Sequence, residues 1–139
     1  MSPKPHILIA EDDFEDRHMI AETFNELGFK SAIHFVEDGR YLVEYLTDTG
    51  AEGIGLLVLD LNMPRLNGTE TLRIIKSNEL YKNIPVIIFS TSVNEIEKTI
   101  CMGLGANEYL TKPMKYSEFV DCCKRFYSIS LAYKDSYLV

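Results

Sequence analysis

The sequence predicts an α/β fold in which five parallel strands form one doubly wound sheet with helices on both faces. Three observations carry that expectation. Short apolar runs alternate strictly with longer amphipathic stretches, five of each, the pattern of successive strand–helix units. Runs such as Gly55–Leu59 are almost continuously apolar, as in strands buried on both faces. Polar residues then stand where the runs stop: Glu11, Asp60, Ser90 and, past the fifth run, Lys112.

In order, Ile7-Leu8-Ile9-Ala10 is the first strand, ending abruptly in Glu11-Asp12-Asp13. A helix follows from Phe14 to Leu27, with Ile20, Phe24 and Leu27 at helical spacing and Gly28 as its stop. Lys30 to Val36 reads as the second strand and Gly39 to Leu46 as the second helix, through Leu42, Val43 and Leu46. Gly55 to Leu59 is the third strand, closed by Asp60. After the turn Asn62-Met63-Pro64, a helix fits Thr69 to Asn78, with Asn67 as candidate cap. Pro85 to Phe89 is the fourth strand, ending at Ser90, and Glu95 to Met102 a short helix stopped by Gly103. Glu108-Tyr109-Leu110 is the fifth strand. Ser117, read as N-cap, opens a last helix to about Ser130 with Phe119, Val120, Cys123 and Tyr127 on one face. Leu131 to Val139, with Tyr133 and Tyr137, is expected to be a short tail.

At 139 residues the chain is expected to be one domain, residues 1–139, with a core over about 6–130 and residues 1–5 as an N-terminal extension. An apolar share of 46% and a charged share of 25% exclude a disordered chain. Three cysteines, Cys101 and the adjacent Cys122 and Cys123, exclude a disulfide scaffold and offer no zinc spacing. Net charge is −7, from 14 Lys and Arg against 21 Asp and Glu, which disfavours direct nucleic-acid binding. No apolar run approaches a membrane span, and the polar start Met1-Ser2-Pro3-Lys4-Pro5 does not read as a signal peptide. The expected place is the cytoplasm.

The chemistry gathers at one address. In an open parallel sheet the C-terminal strand ends line the ligand crevice, and there stand Glu11, Asp12, Asp13, Asp60, Ser90 and Lys112. Carboxylates so crowded repel one another, and a hard divalent cation such as Mg²⁺ resolves the conflict. Lys112 supplies a point charge for a phosphoryl oxygen, Ser90 a hydroxyl, and Asp60 is the carboxylate best placed for nucleophilic attack, giving an acyl phosphate. Which of Asp12 and Asp13 meets the cation is open, and strand length favours Glu11 with Asp12. Taken singly, each group has a plainer reading: Glu11-Asp12-Asp13 as an acidic helix start, Asp60 as a turn former, Lys112 as a surface lysine, Tyr109 as a half-buried strand residue. His6, His18 and His34 share no spacing, and Gly53-Ile54-Gly55 precedes its strand, so a dinucleotide loop fails.

Four segments in order resemble the receiver domains of response regulators over about residues 6–130. They are Ile7–Asp13, Leu57-Val58-Leu59-Asp60-Leu61-Asn62-Met63-Pro64 with Gly68, Pro85–Ser90, and Gly105-Ala106-Asn107-Glu108-Tyr109-Leu110-Thr111-Lys112-Pro113. The resemblance implies a flavodoxin-like fold and a phosphoacceptor at Asp60, loaded by a sensor histidine kinase or phosphotransfer protein. It implies Mg²⁺ held by Asp12, Asp60 and the Asn62 backbone carbonyl, with Glu11 assisting through water. It further implies Ser90 and Lys112 on the phosphoryl group, Tyr109 swinging inward with it, and a cis peptide at Lys112–Pro113. Glu37–Leu42 and Asn78–Pro85 are similar to the stand-alone receivers that partner bacterial phytochromes. Thr91 stands where many receivers carry a smaller residue, which would narrow access to the site. Such a domain is no enzyme beyond its own phosphorylation and dephosphorylation, and acts by docking on a downstream protein of unknown identity or on a second copy as a homodimer.

Three other readings compete with this one. A degenerate receiver would serve as a scaffold without phosphorylation. An aspartyl-phosphate phosphohydrolase needs an acid two residues after its nucleophile, where this chain has Asn62, and a flavodoxin-like carrier needs a phosphate loop after strand one, where it has acids.

Overall fold

The computed structural model describes residues 5–136. Five strands, β1 (Ile7–Ala10), β2 (Ile33–Val36), β3 (Leu56–Leu59), β4 (Val86–Ser90) and β5 (Glu108–Thr111), make one sheet in the order β2-β1-β3-β4-β5. Every pairing is parallel, with Ala10 opposite Leu59 and Ser90 opposite Thr111. The order reverses between β1 and β3, which opens a crevice at their C-terminal ends. The expected doubly wound sheet is the one found.

Because side chains alternate along a strand, each buried strand feeds two cores. Ile7, Ile9, Leu56, Val58, Ile87 and Phe89 pack with Ile20 and Phe24 of helix α1 (Phe14–Glu26) and with Phe119, Cys123 and Phe126 of α5 (Tyr116–Ser136). Leu8, Ala10, Leu57, Leu59, Val86 and Ile88 pack on the other face. Their partners there are Leu42 and Leu46 of α2 (Gly39–Thr49), Leu72 and Ile75 of α3 (Gly68–Ser77) and Cys101 of α4 (Glu95–Gly103). Each fully buried aliphatic or phenyl side chain contributes roughly 1.5–3 kcal/mol, so the strand ends are fixed by packing on both sides.

Short polar side chains start the helices. Asp13, Asp38, Asn67 and Asn94 accept backbone N–H groups from Asp16, Arg40 and Tyr41, Glu70, and Ile96 and Glu97 respectively. Asn67 thus caps α3 as its position predicts.

Three expectations change. The second strand starts late because Lys30–Ala32 forms a 3-10 turn. Ser117 is not the cap of α5: the helix begins at Tyr116, and Phe119 N–H already donates to the Lys115 carbonyl at 3.1 Å. The expected tail is helical as far as Ser136, because its apolar residues still have a surface to cover, and Tyr133 packs on the α2–α3 core. Tyr137 lies outside the described residues.

Gly68 is where the helix side meets the site. A Cβ there would strike the Asp60 carbonyl oxygen and crowd the Leu61 Cα, both backbone atoms that cannot swing away. Gly68 N–H donates to the Leu61 carbonyl at 3.1 Å, so α3 starts pressed against the segment that carries Asp60. Gly68→Ala is expected to cost about 2 kcal/mol, lowering Tm by roughly 5–10 °C. Gly103→Ala, whose added Cβ meets nothing within 4 Å, should melt like the parent, and equal melting of the two variants would discount the close approach.

Candidate functional site

The site is built by backbone first. β1 ends at Ala10, whose carbonyl accepts from Asp60 N–H at 3.2 Å, while Glu11 N–H donates to Val36 at 3.0 Å and Lys112 N–H to Ser90 at 2.9 Å. The residues just past β1, β3 and β5 are therefore stitched side by side along the sheet's C-terminal edge. There the Lys112 ammonium meets Glu11 Oε1 at 2.6 Å, Asp16 Oδ2 at 2.7 Å and Asp60 Oδ2 at 3.4 Å, with 8% of its side chain exposed.

Carboxylate oxygens of Glu11, Asp12 and Asp60 can all lie within 4.8 Å of one another, the group among the described residues suited to a metal ion. Glu11 is 2% exposed, Asp60 8%, and Asp12 open to solvent. Oxygen donors alone, crowded and largely dry, are the set a hard divalent cation takes. Asp13 Oδ2 is engaged as the α1 cap, accepting Asp16 N–H at 2.9 Å. Asp12 is the acid that groups with Glu11 and Asp60.

Burial, with repulsion from Asp60 added, pushes the Glu11 carboxyl up to about 8 even though the Lys112 hydrogen bond pulls the other way. Burial alone would lower the Lys112 ammonium, but its bonds to Asp16 and Glu11 more than offset that and hold it firmly protonated.

Asp60 is held loosely: Oδ1 accepts Asn62 N–H and Oδ2 accepts Lys112, each at 3.4 Å. Long bonds leave its oxygens available to another partner. Ser90 is fully buried, and its hydroxyl accepts Ser92 N–H at 3.4 Å. The half-buried Tyr109 donates its hydroxyl to the Ser92 carbonyl at 3.1 Å, and burial raises the phenol. Ser92 Oγ in turn donates to Glu97 of α4 at 2.8 Å. Ser90 and Tyr109 thus meet at one loop residue. Thr91 is exposed beside them.

One expectation is corrected: no described peptide bond is cis, so Lys112–Pro113 is trans. Trans is the lower-energy isomer by about 0.5–1 kcal/mol even before proline, and Lys112 already reaches its three acceptors in that form. Sequence reasoning also missed Asp16. It follows strand ends, whereas Asp16 stands in the first turn of α1, flagged by the spacing Asp13-x-x-Asp16. The histidines do not converge: His6 bonds Ser130 in the core, His18 pairs with exposed Glu22, and His34 lies against Tyr45.

A doubly wound parallel sheet with an acidic, lysine-closed pocket at its switch point defines an α/β protein with a candidate divalent-cation site at the strand ends. The chain belongs to the response regulator receiver domain family, which matches residues 7–124. It is 34% identical over 125 residues to the two-component response regulator ARR15 of Arabidopsis thaliana, covering 84% of this chain and 60% of that one. The crystal structure of the phosphorylated cyanobacterial phytochrome response regulator RcpA superposes with a TM-score of 0.81 at 30% identity, covering 94% of this chain and 96% of that one. The Mn²⁺-bound form of response regulator Rcp1 does so at 0.78 and 29% identity, covering 91% and 93%. The chain spans less than two thirds of the ARR15 regulator's length.

Because Glu11 in the metal-free protein holds its proton up to about pH 8, a cation binding beside it must expel that proton. Mn²⁺ affinity is therefore expected to rise from pH 6 to pH 9. Calorimetric titration in buffers of different ionisation enthalpy should show nearly one proton released per ion at pH 6.5 and little at pH 9. Equal release at both would show that Glu11 does not titrate there.

Proposed function

We propose that this chain is a phosphorylation-dependent switch in which Asp60 accepts a phosphoryl group from a sensor histidine kinase or phosphotransfer protein. The observation that carries the reading is Asp60 itself: a carboxylate 3.4 Å from a buried ammonium, in an acidic cluster, with both oxygens weakly engaged. An Asp60 oxygen attacks phosphorus as the phosphohistidine P–N bond breaks, leaving an acyl phosphate and a free imidazole. When bound, Mg²⁺ supplies charge neutralisation to the phosphoryl oxygens, and Asp12, Asp60 and the Asn62 carbonyl would hold it, with Glu11 acting through a water. Lys112 then turns an N–H toward the phosphoryl group, and Ser90 contributes its hydroxyl.

The switch follows from differential contact. Once Ser90 turns to the phosphoryl group, Ser92 N–H loses its acceptor, and the loop that also holds Tyr109 and Glu97 is free to move. The surface that changes is α4 with β5 and α5, where Val93 and Ile96 are 76% and 72% exposed. A downstream protein or a second copy of the chain would dock there. The domain turns over no external substrate: Asn62, two residues after Asp60, cannot act as the general acid of a phosphohydrolase. No described helix is long and apolar enough to cross a membrane, and the cytoplasm is the proposed place of action.

Intact-mass measurement after incubation with acetyl phosphate and Mg²⁺ tests this directly. The parent should gain one phosphoryl group and Asp60→Asn none; a gain in both would move the acceptor elsewhere, and none in either would favour the scaffold. Thr91, exposed next to buried Ser90, is expected to slow traffic at the site. Thr91→Ala should raise both the loading and the loss rate severalfold, and unchanged rates would strip Thr91 of that role.

A further inference from the structure

Between Asp60 and α3 the chain makes a loop whose outer end is held in an unusual way. Arg65 is the one described non-glycine residue in the left-handed region, at φ +60°, a conformation that arginine rarely adopts unless its surroundings impose it. A tight backbone turn is closed across it, with Leu66 N–H donating to the Pro64 carbonyl at 2.6 Å, and its side chain is held as well. Nε donates to Asp38 Oδ2 at 2.7 Å, Nη2 lies 3.4 Å from Glu37, and the guanidinium sits 5.2 Å from the Tyr41 ring centroid.

Asp38 is fully buried, and its other oxygen caps α2 through Arg40 N–H and Tyr41 N–H. The next residue repeats the grip by backbone: Leu66 carbonyl accepts Gly39 N–H at 3.2 Å. Gly39 has no room for a Cβ, which would strike the Thr71 hydroxyl and the Leu66 carbonyl. At the inner end Gly68 is pressed on Asp60 and Leu61. The loop is thus pinned to α2 at Arg65–Leu66 and to β3 at Gly68, and the exposed Asn62, whose carbonyl would face the cation, stands between β3 and the Arg65 pin.

We propose that Arg65 is a positioning residue for the cation site: through Asp38 it holds the Asn62–Leu66 loop in the shape that presents the Asn62 carbonyl. This rests on the reading of the site given above.

Charge makes the test sharp. Arg65 is three residues from Asn62, at most about 11 Å of chain, and so within electrostatic reach of the cation at low ionic strength. Judged by Coulomb's law alone, removing its positive charge should tighten cation binding. Positioning predicts the opposite sign.

Full-length chain and the variants Arg65→Gln and Arg65→Lys would be titrated with Mn²⁺ by calorimetry at low salt, with melting curves to confirm that each is folded. The Gln variant is expected to bind about tenfold more weakly, the scale of losing an outer-shell support. The Lys variant, which can still reach Asp38 without the planar fork, should lie between. A Gln variant that binds as tightly as the parent, or more tightly, overturns the proposal, and so does a Lys variant as weak as the Gln one. A parent that binds no Mn²⁺ overturns the underlying reading and this proposal with it, whereas a binding parent with an indifferent Gln variant overturns this proposal alone.

Discussion

One ammonium group holds this protein's site together. Lys112 Nζ has three N–H donors, and three carboxylates, from Glu11, Asp16 and Asp60, stand around it. With Asp12 alongside, the pocket still carries more negative than positive charge. Charges taken out of water are tolerated only when paired this closely. Burial, with Asp60's repulsion added, keeps Glu11 reluctant to ionise, and the excess of negative charge leaves a place for a further cation.

Nothing on a flexible element could maintain such a cluster, and here each member is fixed by something rigid. Glu11 and Asp60 extend β1 and β3, neighbours in the sheet. Lys112 follows β5, and its amide is tied back to Ser90. Asp16 is set by the capped first turn of α1. Behind them two apolar cores clamp the central strands from both faces. Gly68, where an added Cβ would strike the Asp60 carbonyl oxygen, shows how closely α3 is drawn onto the same edge.

Much of this was legible in the sequence, for physical reasons that differ by residue. The strands were readable because burial on both faces leaves near-continuous apolar runs, and a carboxylate ending such a run, as Asp60 does, is conspicuous. Asp12 and Asp13 could not be told apart, because a cap and a metal-facing acid are the same residue type one position apart; only the bond from Asp16 N–H to Asp13 separates them. Asp16 itself was hidden, since its partner Lys112 is 96 residues away. The Arg65–Asp38 pair was hidden likewise, across 27 residues. The length of α5 was underestimated because Tyr133 reads as a tail aromatic until the core it covers is in place.

The count of donors also says what a phosphoryl group must do on arrival. All three Lys112 N–H groups already have acceptors, so a phosphoryl group on Asp60 can gain one only by taking it from Glu11 or Asp16, or by replacing the long Asp60 bond. The Asp60 bond is the weakest by distance, 3.4 Å against 2.6 and 2.7 Å, and it is the one that a phosphoryl group on Asp60 would rebuild. Lys112 can therefore follow the incoming charge without abandoning Glu11 or Asp16. Ser90 differs: in its bond to Ser92 the hydroxyl oxygen accepts, so its own O–H would be the donor offered to a phosphoryl group, and turning toward that group would carry the oxygen away from Ser92 N–H. On the proposed function the asymmetry would give the two groups different work, with Lys112 holding charge in both states and Ser90 changing partner between them.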